Sequence, residues 1–177
     1  MNPLAFDTHL FRAVNDGFRS RILDSFFSAI TNIGTGEFLI FVALLLLLNR
    51  KSFGMSGVIL LAGMTLSFYT VGALKHAIAR PRPFMALPDV HLLTRASDYS
   101  CPSGHTTFAF MAAFIIASYY KKGAVVPLAA YGIASLIGYS RIYLGAHYPI
   151  DVLYGIVLGS AIGYLLVQVT KKAVKGA

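Results

Sequence analysis

Apolar residues in this chain come in long blocks rather than alternating with polar ones. Residues 36–49 hold Leu44 to Leu48 in an unbroken row, and comparable blocks cover residues 54–76, 104–120, 123–140 and 148–169. Such blocks predict membrane helices, since about 17–20 apolar residues carry a helix across the hydrocarbon. Ahead of them, residues 4–18 set Leu4, Leu10, Phe11, Val14 and Phe18 among charges, the pattern of an amphipathic helix lying at the interface. Residues 21–33 continue with Leu23, Phe26, Phe27, Ile30 and Ile33 but also carry Asp24, Ser25, Ser28, Thr31 and Asn32. That piece reads as a second interfacial or half-buried helix, with a short sixth span as the alternative. The expected fold is all-α, a polytopic membrane helical bundle of five clear spans, or six. It is expected to form one domain over residues 1–177, with 1–33 interfacial and 36–169 transmembrane.

The connections are legible too. Asn49-Arg50-Lys51 and Lys121-Lys122-Gly123 read as tight polar turns, whereas residues 81–102, with Pro81, Pro83, Pro88 and Pro102, form one long loop. Glycines at 57, 63, 72, 132, 138, 155, 159 and 163 are expected to serve close helix packing. Counting five crossings brings the polar clusters near residues 75–82, 102–105 and 140–151 to one side of the bilayer. The other side collects Arg50, Lys51, Lys121, Lys122, Lys171, Lys172 and Lys175 with no acid nearby. The excess of cytoplasmic cations found in membrane proteins makes that side the inside, so the clusters face the periplasm or exterior.

Composition sharpens this picture. The chain is 56% hydrophobic and only 12% charged, too little charge for the surface of a soluble domain. Its formal net charge is +8, but the basic residues are scattered at helix ends rather than gathered on a soluble face, which excludes nucleic-acid binding. They suit anionic lipid headgroups and, in part, substrate phosphate. Cys101 is the only cysteine, so neither an intrachain disulfide nor a cysteine metal cluster can form, and it reads as a space-filling residue. No removable signal peptide is expected, because residues 1–20 carry Asp7, Arg12, Asp16 and Arg19 and lack a continuous apolar core.

Cations and imidazoles are costly near hydrocarbon, so those inside the clusters point to chemistry. Pro102-Ser103-Gly104-His105 sits where a loop becomes a helix. Ser103 suits the cap, and free N–H groups with Gly104 make an anion site, although a plain cap would also explain the serine. His147 and Asp151 stand four residues apart, with Pro149 suited to a first helical turn. Their spacing lets the carboxylate orient one imidazole nitrogen and leave the other as a nucleophile or base, or else makes a helix-capping pair. Arg141, Lys75 and Arg82 add positive groups for phosphate oxygens, or snorkel to the interface. Phosphoryl transfer gains chiefly from such positioned charge. No metal site is expected: His76 and His91 have no ligand partner at suitable spacing, and His9 stands alone.

The pattern Lys75-x6-Arg82-Pro83, then Pro102-Ser103-Gly104-His105, then Ser140-Arg141-x5-His147-x3-Asp151 resembles the type 2 phosphatidic acid phosphatase (PAP2) superfamily. The resemblance spans residues 75 to 151 and the helices around them. Soluble vanadium-dependent haloperoxidases share these motifs, but the hydrophobicity of this chain fits the membrane branch. The resemblance implies a cofactor-free, metal-independent lipid phosphatase that works through a phosphohistidine. By it, His147 attacks phosphorus, Asp151 orients His147, and His105 protonates the leaving oxygen. Lys75, Arg82, Ser103, Gly104 and Arg141 would hold the phosphate, with Arg80 a neighbouring accessory cation. Implied substrates are undecaprenyl diphosphate, phosphatidylglycerol phosphate or phosphatidate, with lipid A phosphates also open. The competing class is a non-catalytic membrane protein that binds or conducts anions or lipids, which would have no use for His105 or for the His147–Asp151 pair.

Overall fold

The computed structural model describes residues 3–17, 19–48, 54–94, 96–120 and 123–176. Phe18, the turn at Asn49-Arg50-Lys51, Arg95, Lys121-Lys122 and the Leu4 side chain lie outside the described residues. Among the described residues, seven helices of 13 residues or more are α1 (Pro3–Gly17), α2 (Arg21–Ile33), α3 (Gly36–Leu48), α4 (Gly54–Ile78), α6 (Gly104–Tyr119), α7 (Val125–Tyr143) and α8 (Pro149–Gly176). The four-residue α5 (Pro83–Ala86) lies in the long loop.

Apolar side chains have two destinations. One set fills the interior, where Leu39, Ala43, Leu60, Met64, Met111, Ile115 and Ile162 pack together from α3, α4, α6 and α8. The other set faces outward, with Phe41, Phe68, Leu128, Val157 and Val169 all more than half exposed. Large exposed apolar surface of this extent is lipid-facing, and the chain is a membrane protein with several apolar helical spans.

α6 sits at the centre and packs on α8 and α7, with α4 next and α3 at its edge. It approaches α8 at backbone distance because glycines line the crossing. A Cβ on Gly159 would stand 2.2 Å from the Thr107 carbonyl oxygen, and one on Gly155 2.9 Å from that of Ser103. Gly57, Gly63, Gly138 and Gly163 are also tightly faced, whereas Gly72 and Gly132 look onto open space and serve no such packing.

The span count departs from expectation. Among the described residues, three helices, α4, α7 and α8, are long and apolar enough to cross a membrane, with α4 counted on through α5. α3 has 13 residues and α6 has 16, so they reach only about 20 and 24 Å at 1.5 Å per residue. α2 and α3 together make a candidate fourth crossing, bent by 52° at Gly34-Thr35. At that break the Thr35 hydroxyl accepts from Phe38 N and donates to Asn32 O, ending one helix and starting the next. The expected second interfacial helix is therefore half of a bent pair.

α1 also differs from a helix merely resting on lipid. Phe6 and Leu10 are exposed, as an interfacial helix requires, but the opposite face buries Asp7, Phe11 and Asn15 against the protein. Asn15 donates to the carbonyls of His91 and Tyr143 and accepts from His91 N. Those four-residue steps mark a polar seam that holds the long loop onto the bundle.

Candidate active site

Lys75 near the end of α4, the first turn of α6, Arg141 near the end of α7 and His147 before α8 face one cavity of about 960 Å³. Four chain directions meet there, so the motif ends lie at one end of the bundle. Six of the eight residues singled out from the sequence line the cavity: Lys75, Arg82, Gly104, His105, Arg141 and His147. Ser103 and Asp151 are fully buried behind it.

Ser103 occupies the N-cap position of α6, but its hydroxyl makes no cap bond and instead accepts from the Thr106 hydroxyl at 2.9 Å. Its backbone N donates to the Asp151 carbonyl, joining the start of α6 to that of α8. The first-turn N–H groups of α6 are therefore not taken up by the serine side chain.

Asp151 is held from three sides. Oδ2 accepts from Tyr148 N at 2.9 Å and from the Ser100 hydroxyl at 2.6 Å, while Oδ1 accepts from Arg80 Nη1 at 2.7 Å. The first of these bonds is a helix cap, three residues into α8 and back to the residue before Pro149. The capping alternative is thus part of the geometry, and the carboxylate makes no direct hydrogen bond to the imidazole. His147 Nδ1 lies 3.7 Å from Asp151 Oδ2, longer than a hydrogen bond, and 3.5 Å from the Ser100 hydroxyl, which lies beside both. Arg82 Nη1 donates toward His147 Nε2 at 3.3 Å and to Ala146 O at 3.0 Å. Because a guanidinium only donates, Nε2 is the acceptor and Nδ1 carries the proton. The Nε2 lone pair therefore points to the cationic side. His147 sits in the loop before α8, where burial pushes its imidazole down to about 4. Asp151 resists that shift, and Arg141 and Arg82 add to it.

Arg80, a neighbour of the expected Arg-Pro pair, bridges two buried carboxylates. It donates to Asp7 Oδ2 at 2.6 Å as well as to Asp151, and it stacks on the Tyr148 ring at 4.0 Å. Asp7 in turn accepts from Ile150 N, satisfying a first-turn donor of α8. Arg141 donates to the Thr31 hydroxyl at 2.7 Å, and its buried Nε has no hydrogen-bond partner.

A model described as the PAP2 superfamily matches residues 56–175. This chain belongs to that superfamily. Undecaprenyl-diphosphatase BcrC of Bacillus subtilis is 33% identical over 162 residues, 88% of this chain and 80% of its own length. The crystal structure of Aquifex aeolicus LpxE has a TM-score of 0.85 at 32% identity, covering 95% of this chain and 98% of that one. The first transmembrane PAP2 type phosphatidylglycerolphosphate phosphatase from Bacillus subtilis has a TM-score of 0.83 at 28% identity, covering 97% and 88%. As a PAP2 phosphatase, the chain is a hydrolase of lipid phosphate esters.

Several residues around the PAP2 motifs escaped the sequence reading. Asp98 pairs with Lys75 and Arg82, Ser100 bonds Asp151, and Asp7 joins Arg80. His91, which has no ligand partner at suitable spacing in the sequence, contacts the distant Asp24 at 3.2 Å, and Tyr143 donates to the same carboxylate. All but the nearest of these links join distant positions, which a spacing rule cannot register. The one usable signal was loop composition: Asp98 and Ser100 lie just ahead of the second motif. Cys101 is buried, with its thiol pushed up to about 12 by burial, so it is inert. Among the described residues, no group of three or more His, Cys, Asp and Glu side chains could hold a metal ion.

Proposed function

We propose that this PAP2 phosphatase removes phosphate from a membrane lipid mono- or diphosphate through a covalent phosphohistidine on His147. In this reading Nε2 attacks phosphorus and the bond from phosphorus to the lipid-side oxygen breaks. His105 gives that oxygen its proton. Water then gives a proton back to His105 as its oxygen attacks phosphorus, and the bond from phosphorus to Nε2 breaks to release inorganic phosphate. Asp151, steadied by Tyr148 N, Ser100 and Arg80, balances the positive charge that His147 gains. Lys75, Arg82, Arg141 and the Gly104 backbone offset charge on the phosphoryl oxygens, with Ser103 setting the helix start behind them.

The observation that carries this reading is the single cavity shared by three imidazoles, of His76, His105 and His147, and three cations, with the acceptor nitrogen of His147 turned to Arg82. The same cavity has an apolar wall of Phe68, Tyr69, Val71, Met85 and Phe108 from α4, α5 and α6. A lipid tail would lie along that wall and leave between α4 and α6 into the bilayer. Undecaprenyl diphosphate, phosphatidylglycerol phosphate and phosphatidate all meet these demands. The diphosphate carrier is favoured by an outward-facing site, and the name of the Bacillus subtilis relative points the same way. We place residues 1–177 in one domain. α6 would cross as a short helix shielded by its neighbours and α3 would complete a five-span bundle, with the site opening to the periplasm or exterior.

The test is phosphate release from short-chain lipid mono- and diphosphates in detergent with excess EDTA. Activity that survives the chelator, is lost in His147→Ala and leaves a trappable phosphoenzyme in wild type is the expected result. A wild-type rate no greater than that of His147→Ala would remove the reading.

A further inference from the structure

Two of the three cations assigned to phosphate already hold a carboxylate. Asp98 bonds Lys75 Nζ through Oδ2 and Arg82 Nη2 through Oδ1, spanning them much as two oxygens of one phosphate would. Its side chain is 54% exposed, whereas those of Lys75 and Arg82 are 9% and 2% exposed. The cations are thus enclosed by the protein, whereas the carboxylate has room to leave. Arg141, facing the same cavity, keeps its buried Nε without a hydrogen-bond partner. An anion held by Arg141 would therefore meet Asp98 as a like charge competing for Lys75 and Arg82.

We propose that Asp98 is an internal competitor of phosphate: it gives up Lys75 and Arg82 when a phosphate binds and retakes them as inorganic phosphate leaves. This rests on the reading that Lys75 and Arg82 clamp the substrate. Although burial pushes the Asp98 carboxyl up, Lys75 and Arg82 hold it down at about 2, so it competes as an anion at any working pH. A competitor of this kind weakens substrate and product alike. It raises KM and the inhibition constant of phosphate together and leaves the chemical step alone. It also keeps a tightly held dianion from lingering in a site built of cations.

The variant that isolates the charge is Asp98→Asn. The bond from Arg82 Nε to the Asp98 carbonyl, 2.8 Å, uses the backbone and survives the change. In purified full-length protein, Asp98→Asn should lower both KM and the inhibition constant of inorganic phosphate about fivefold, the scale of one partly exposed ion pair. Asp98→Ser should lower both constants in the same way. Constants equal to wild type, or raised in both variants, would overturn the proposal and make Asp98 a brace for the two cations. Arg82→Gln separates this from the reading beneath it. If it leaves phosphate inhibition at the wild-type value, the clamp assignment itself fails. If inhibition weakens while the Asp98 variants match wild type, only the competitor fails.

Discussion

At the scale of single residues, the His147 imidazole is governed by what surrounds each of its nitrogens. Burial holds it neutral down to about pH 4, against about 6.5 for a free imidazole. The nucleophile is therefore available across the physiological range, and the acid limb of kcat/KM should lie well below pH 6.5. A limb at 6.5 would show that this imidazole titrates as if solvated. Stability carries the matching sign. Between pH 6.5 and 4 the unfolded chain binds the proton and the folded one does not, so this contribution is complete above 6.5 and is lost as pH falls toward 4. Asp151→Asn tests the other nitrogen. The amide oxygen can still accept from Tyr148 N and Ser100, and Arg80 keeps Asp7, so the variant should fold. Some stability is lost because its NH2 group now faces Arg80 Nη1, and the charge that balances the attacking imidazole is gone. Turnover should drop roughly 10²–10⁴-fold, the range of acid–base and orienting groups. Normal turnover would assign Asp151 to capping alone.

At the scale of elements, the α6–α8 crossing decides how closely the two histidine-bearing segments approach. Gly159→Ala drives a methyl into the Thr107 carbonyl oxygen, and because that atom is backbone the helices must separate. A loss of about 1–3 kcal/mol is expected from overpacking alone, read as a lower midpoint of thermal unfolding in detergent. Gly72→Ala is the contrast, since open space surrounds it and helix propensity favours alanine by roughly 0.5–1 kcal/mol. Equal effects at both positions would mean that the crossing is looser than drawn. Glycines 72 and 159 look alike in the sequence, for apolar surroundings mark both. What separates them is which face of each helix meets a neighbour, and no window of residues contains that. The same limit explains the span count. Apolar blocks at 36–49 and 104–120 record where water is excluded, and interior residues such as Met111 and Ile115 are as apolar as lipid-facing Leu128. The motifs were legible because their parts lie a few residues apart on one helix end or loop. Asp7, 73 residues from Arg80 and 143 from Ile150, was not.

At the scale of the whole molecule, the end of the bundle that carries the site has a definite partner in the C-terminal half of α8. That helix leaves the site at Pro149 and runs for 28 residues, with Lys171, Lys172 and Lys175 exposed near its end. A helix of that length covers about 42 Å, enough to carry its two ends to opposite water phases. If the cation-rich end is cytoplasmic, the loop of Ser97 and Asp98 must face outward. The inert native thiol makes this directly measurable, because Cys101 is buried and contributes no background to a thiol reagent. Ser97→Cys, on an exposed stretch of the long loop, should react with a membrane-impermeant maleimide on intact cells. Lys172→Cys should react only after the membrane is opened. Saturating phosphate should slow the first reaction, since Ser97 lines the same cavity as the three cations. The reverse order of labelling would turn the site toward the cytoplasm and remove the reason to favour a carrier lipid processed outside. Labelling of both positions on intact cells would break the link between the two ends of α8 and with it the spanning role of that helix.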